Sequence, residues 1–162
     1  MAEDTVKDEV VKPTQFDFYS IDGTLMYTSN QEEFDDVFFS IIALGVWTKT
    51  FEVGTRLKLT FTTISESKKM DLLSKVKTWS DGLKATSQMF DQYLTKVNLC
   101  NYLSTIEIDK SIVNLREAKD DERFDTVSQQ AEQALSLYGS WLYVFQEIIR
   151  RSLTAQVALK NS

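Results

Sequence analysis

Apolar residues recur with a period of two through the first third of the chain and with steps of three and four through the rest. Phe16 and Phe18 alternate with Asp17 and Tyr19, and Leu25 and Tyr27 resume the alternation after Asp22-Gly23. A two-residue Asp-Gly loop is a strong hairpin signal, because it tolerates positive φ. With that loop, Phe18 faces Tyr27 and Ser20 faces Leu25, so Phe16, Phe18, Leu25 and Tyr27 share one face. A second hairpin is predicted over 46–62 around Gly54. Trp47, Phe51, Leu57, Leu59 and Phe61 all have odd numbers, which an even loop would split across two faces. The turn is therefore expected to hold three residues or a bulge. Lys49 falls on the same face and is expected to lay its stem along it.

Between the hairpins, 34–44 is a dense apolar segment. Its β-branched and aromatic residues lean to strand, while Glu32, Glu33, Asp35 and Asp36 ahead of it suit a helix start. The period changes near Thr63, where Thr63 and Glu66 form a T-x-x-E capping box. Leu72, Leu73, Val76 and Trp79 then form one helical stripe. A second helix carries Phe90, Leu94, Val97 and either Cys100 or Leu103 on one side, and 105–116 reads as a linker. In the last third, Phe124, Val127, Ala131, Ala134, Tyr138, Trp141, Phe145 and Ile148 keep the spacing of a heptad seam, widened by Leu135, Leu142 and Ile149.

These patterns predict an α+β fold: N-terminal antiparallel β-hairpins over about 14–62, then three helices over about 65–79, 83–103 and 121–159, the last one long. Its core is expected to hold Phe18, Leu25, Trp47, Phe51, Leu59, Phe61, Leu73, Val76, Leu94, Val97 and Leu135. Residues 14–162 form one domain. The acidic segment 1–13 has too little apolar surface to order by itself and is expected to be flexible, with its valines free to dock on a neighbour.

Composition narrows the chemistry. The chain has 162 residues and a net charge of −6, with no basic stripe interleaved with aromatics, so nucleic acid is not an expected partner. Histidine is absent, which removes histidine-based relays and the commonest zinc ligand. The single Cys100 lies in an apolar helical stretch and reads as a buried structural thiol. Lys68-Lys69 and Arg150-Arg151 are short basic pairs suited to solvating helices. The acidic start shows no secretory signal, and the longest apolar run, 37–47, is too short to span a bilayer, so no membrane partner is expected. The chain is expected to be soluble and made in a reducing compartment.

The segment from Ser20 to Leu25, S-I-D-G-T-L, resembles the first motif of haloacid-dehalogenase-like phosphatases. Serine stands where that family has its nucleophilic aspartate, and no histidine is present to activate it. A second strand-like run follows where the family has a helical crossover, so the hairpin turn is favoured. The acidic cluster Glu32, Glu33, Asp35 and Asp36 lacks the spacing and the glycine of a calcium loop. Asp120, Asp121, Glu122 and Asp125 suit a helix N-terminus. Without a phosphate-binding glycine loop, no catalytic, metal or cofactor site is expected.

The most unusual feature is the nearly continuous apolar run of 137–145 within the last helix. A helix apolar on most sides must be covered on most sides, and one small sheet with two shorter helices has limited surface for this. The distal face is therefore expected to bind another protein subunit, identical or different. Its expected contacts are Tyr138, Trp141, Leu142, Phe145, Ile148, Ile149 and Leu153, with Arg150 and Arg151 at the polar rim.

The ordering of the segments SIIALGVWTK (40–49), LKLTFTTISE (57–66) and NLCNYLSTI (98–106) resembles that of tailed-bacteriophage tail proteins. Small baseplate-hub subunits and tail assembly chaperones share the strand pair, the helix start, the leucine-rich helix and the long last helix. The resemblance implies a non-enzymatic structural or assembly protein of the virion, put together in the host cytoplasm. The alternative from another class is a small acidic dimeric chaperone, of tail-assembly or secretion type, that leaves the final assembly.

Overall fold

In the computed structural model, Gln15–Tyr19 (β1) and Leu25–Asn30 (β2) pair antiparallel as a separate two-stranded sheet. The structure describes residues 15–65, 87–115 and 120–161. The expected tail 1–13, the helix over 65–79 beyond Ser65, Glu66 of the capping box, and Leu73 and Val76 of the expected core lie outside these residues. Phe18 faces Tyr27 as the parity predicts, but Tyr19 then pairs with Leu25 across a bulge. The extra residue, Met26, reverses the parity beyond it. Met26 packs on the core, and Leu25, expected inside, is 53% exposed.

The 34–44 segment is helical, against the lean toward strand. Helix α1, Gln31–Phe39, starts at Asn30, whose side-chain oxygen accepts the Glu33 N–H at 2.8 Å. That cap, with acidic residues in the first turn, outweighs the β-branched content of the segment. Phe34 and Val37 are buried on its inner face. The chain then widens into a π turn over Ser40–Leu44, closed by Gly45 at φ 73°.

Strands β3 (Thr48–Val53) and β4 (Leu57–Thr62) form the second hairpin, with Val53 opposite Leu57 and a three-residue loop, as the odd numbering requires. Thr63 ties off its open end: its N–H donates to the Trp47 carbonyl, and its hydroxyl accepts the Trp47 N–H, both at 3.0 Å. Helix α2, Ser87–Tyr102, follows. It stops one residue short of Leu103, because 103–114 is a hairpin where a linker is expected over 105–116. Strands β5 (Leu103–Ile108) and β6 (Ser111–Asn114) extend the sheet to the order β3-β4-β5-β6. The β-branched residues that looked like linker punctuation are ladder residues: Ile106 sits between Leu59 and Val113. The turn residues Asp109 and Lys110 both take positive φ, 50° and 71°, in place of glycine.

The expected last helix is two helices. Helix α3, Asp120–Ala131, and helix α4, Leu135–Asn161, meet at a tight turn in which the Ala134 N–H reaches the Ala131 carbonyl at 2.9 Å. One straight rod cannot follow both packing surfaces: α3 lies against α2, while α4 crosses α1, α2 and the first hairpin. Heptad spacing survives the break because both helices turn the same seam inward, with Val127 and Ala131 buried on α3 and Tyr138 and Trp141 on α4.

The core is a row of aromatic rings linking the two sheets through α4. Phe16 stacks on Phe34, with centroids 4.1 Å apart. Phe34 meets Phe18 edge-on, Phe18 meets Tyr27, and Tyr27 meets Phe51. Phe51 contacts Trp141, and Phe61 contacts Phe145, so the sheet face and the helix interlock ring by ring. Trp47, Phe51, Leu59, Phe61 and Val97 are buried, as the sequence predicts. Leu94 is half-buried, and Leu135 packs partly buried against the core. The opposite face of the sheet carries hydroxyl pairs, Thr48 with Thr62 at 3.0 Å and Thr50 with Thr60 at 2.8 Å.

Candidate functional site

The residues expected to meet a partner are mostly consumed inside the chain. Tyr138, Trp141, Leu142, Phe145 and Ile148 are buried, and Ile149 packs partly buried against the same core. Leu153 is half-buried. The expectation that one small sheet and two helices could not cover this face is overturned by two extra layers: α1, which packs along α4, and the β5–β6 addition to the sheet. Arg150 is exposed and pairs with Glu147 at 2.7 Å. Arg151 clamps the first hairpin: it donates to the Asp17 carbonyl at 3.0 Å and lies over the Phe18 ring at 4.5 Å. Among the described side chains of α4, the large apolar ones left exposed are Leu137 and Tyr143.

Among the described residues, a dense polar cluster joins β2, α1 and β3. The Glu33 carboxylate accepts from the Tyr27 hydroxyl at 2.6 Å, from Ser29 at 2.6 Å and from the Lys49 ammonium at 2.8 Å. Lys49 also lies 4.9 Å from the centre of the Tyr27 ring. Burial alone pushes the Glu33 carboxyl up, but hydrogen bonds from Lys49, Ser29 and Tyr27 outweigh it and hold the group below the ordinary glutamate value. Burial lowers Lys49, yet its bonds to Glu33 and Tyr27 raise it overall. Burial, then Glu33, pushes the Tyr27 phenol up. Each shift deepens the resting state: carboxylate, ammonium and neutral phenol. Such a cluster fastens three elements together and offers no proton acceptor or donor tuned to neutral pH.

The S-I-D-G-T-L segment is a turn. The Ser20 N–H donates to the Thr24 carbonyl at 2.9 Å, Gly23 sits at φ 87°, and the Ser20 hydroxyl bonds the Asp22 carboxylate. That hydroxyl, then Thr24, holds the exposed Asp22 carboxyl below the ordinary range. The antiparallel β2 follows directly, so this loop has the setting of a hairpin rather than of a phosphatase strand–helix crossover.

The feature that sequence reading did not isolate is the outer surface at the end of α1. Phe39, Ile42 and Leu44 are 62%, 67% and 65% exposed, and Val46 beside them is also exposed. Phe39, on α1 ahead of the π turn, lies away from Val37 by ordinary helical spacing, and the π turn accounts for Leu44. Each residue of that turn advances less around the axis than in an α-helix, so Leu44 falls behind the buried line of Phe34, Val37 and Ile41 and turns outward. The turn is fixed by the Gly45 N–H on the Ile41 carbonyl at 3.2 Å and the Val46 N–H on the Ser40 carbonyl at 3.3 Å. Glycine at this left-handed position lets the chain leave the helix without strain.

The expected acidic cluster is the opening of α1, where Glu33 turns inward to Lys49 while Glu32, Asp35 and Asp36 stay exposed. Cys100 is buried. Among the described residues, no group of three or more histidine, cysteine or acidic side chains is gathered to hold a metal ion, and no helix is long and apolar enough to cross a membrane. Comparison with protein-family models, with curated proteins and with solved structures finds no match to this chain.

Proposed function

We propose that this chain is a non-enzymatic subunit that works through protein–protein contacts, as a tail or baseplate component of a tailed-phage virion. The exposed apolar group Phe39, Ile42, Leu44 and Val46 carries the reading. Phe39 at the end of α1, Ile42 and Leu44 on the π turn and Val46 just past its glycine cap are large apolar side chains left exposed within eight residues of chain, and exposed apolar groups of this kind mark interaction surfaces. Ile42, Leu44 and Val46 also fall within the 40–49 segment on which the likeness to tail proteins rests. The Glu33–Lys49–Tyr27 cluster, locked in its resting charge states, supports an assembly role over catalysis.

The contact surface in this reading is the end of α1, and the buried face of α4 serves the fold. The test pairs native mass spectrometry of the purified chain with quantification of the chain in purified particles, for the wild type and for a Phe39→Ser/Ile42→Ser variant. A stoichiometric particle component that the variant fails to supply, while melting normally, supports the proposal. A dimer absent from particles favours the assembly chaperone instead. Unchanged association of the variant in every setting would overturn the role of this surface.

A further inference from the structure

One exposed stripe of α1 is divided by chemistry along its length. Glu32 and Asp36 stand on the outward face, and Phe39 and Ile42 continue that face at helical steps of three and four. From Glu32 to Ile42 the stripe runs about 15 Å at helical rise. Glu33 is turned inward to Lys49, and among the described residues no ion pair holds Glu32 or Asp36. The surface therefore offers two outward carboxylates next to an uncovered apolar end.

Building on the protein-binding reading above, we infer that this stripe receives a cationic amphipathic segment of another protein, with apolar side chains on Phe39 and Ile42 and lysine or arginine against Glu32 and Asp36. Charge selects this occupant over the others an apolar patch could take. A second copy, on a chain of net charge −6, would set its own Glu32 and Asp36 against these carboxylates in a parallel pairing and over Phe39 and Ile42 in an antiparallel one, with no cation for them in either. An anionic lipid surface is repelled by the same pair. A cationic partner gains at both ends of the stripe: the apolar contact supplies affinity, and the carboxylates supply register and rate of encounter.

The experiment titrates the full chain against two synthetic amphipathic helices of equal length, one of leucine and lysine, the other of leucine and glutamate, by fluorescence anisotropy. The leucine–lysine helix should bind saturably and the leucine–glutamate helix should not. Glu32→Gln/Asp36→Asn should weaken the first by about tenfold at low salt. A control that removes two exposed charges from α3 and the turn after it, Glu122→Gln/Glu132→Gln, should leave it unchanged. Phe39→Ser/Ile42→Ser should abolish binding while the thermal melt stays in place. Equal loss in the control would reduce the effect to net charge and overturn the inference. So would a dimer in sedimentation that Phe39→Ser/Ile42→Ser dissolves, or flotation with phosphatidylcholine vesicles that the same variant abolishes. If Phe39→Ser/Ile42→Ser blocks particle incorporation while Glu32→Gln/Asp36→Asn does not, the cationic partner is wrong and the protein-binding reading survives.

Discussion

The indole of Trp47 lies parallel to the ring of Phe145, with 4° between their planes and 5.1 Å between their centroids. Trp47 stands just ahead of β3 and Phe145 sits midway along α4, so this stack joins the larger sheet to the helix that covers it. Phe145 also meets Phe61 and Tyr102 and is wholly buried. Phe145→Ala should cost about 3–5 kcal/mol of stability. A double-mutant cycle with Trp47→Leu and Phe145→Leu should return a coupling of about 0.5–1.5 kcal/mol, read from denaturant melts. Additive losses would mean that the rings contribute through burial alone.

The Glu33 cluster makes stability depend on pH at both ends. The lowered carboxyl of Glu33 contributes stability that is present above the ordinary glutamate value of about 4.3 and is lost as pH falls through its lower folded value. The raised Lys49 and Tyr27 contribute stability that is present below their ordinary values, about 10, and is lost as pH rises through their higher folded values. The groups are only half buried, so solvent screening holds each end to about 1 kcal/mol or less. Glu33→Gln should flatten the acid limb of a stability–pH curve, and Lys49→Met the alkaline limb. Parallel curves for Glu33→Gln and wild type below neutrality would rule this account out.

Lys110 holds φ at 71° in the β5–β6 turn, a conformation that suits glycine. Its neighbour Asp109 is committed elsewhere, accepting from the Arg56 Nε at 2.6 Å and from the other arm of the same guanidinium. Lys110→Gly should therefore raise stability by up to about 1 kcal/mol, seen as a higher melting temperature. Asp109→Gly relieves the same backbone but breaks the tie to the β3–β4 loop, so its gain should be smaller.

Ile148 and Ile42 are both isoleucines on helical turns, with opposite expected responses to charge. Ile148 is wholly buried and Ile42 is mostly exposed. Ile148→Asp should unfold the chain, since an unpaired carboxylate would enter an apolar core. Ile42→Asp should stay within about 0.5 kcal/mol of wild type. Far-ultraviolet circular dichroism with thermal melting separates the two, and a folded Ile148→Asp would contradict the packing of α4.

The α+β plan was legible because period two and period three-to-four are written plainly around Thr63. Odd parity even gave the three-residue loop between Val53 and Leu57. The first helix was also signalled, by Asn30 three residues ahead of Glu33, a cap with an acidic third position. Aromatic and β-branched content in 34–44 masked it. The β5–β6 hairpin was hidden because Asp109-Lys110 lacks the glycine that marks such turns. The break between α3 and α4 leaves no glycine or proline at 131–134, and is set by what each helix packs against. That error carried into the site: without α1 and the two extra strands, the apolar face of α4 looked too large to cover. The outward turn of Leu44 depends on the phase slip of the π turn, which residue spacing does not announce.

The aromatic seam with α4 also sets a timetable for synthesis. Trp47, Phe51 and Phe61 leave the ribosome well before Phe145 and Ile148, the residues that cover them. About 100 residues separate Trp47 from Ile148, so at translation rates of about 5–20 residues per second the hairpin waits roughly 5–20 seconds for its cover. Through that interval β3 and β4 present a row of bare rings, and for about its first half an unpaired edge as well, until β5 has been made. The nascent chain is therefore most exposed to aggregation, and most attractive to general chaperones, in the window that closes when α4 has been made.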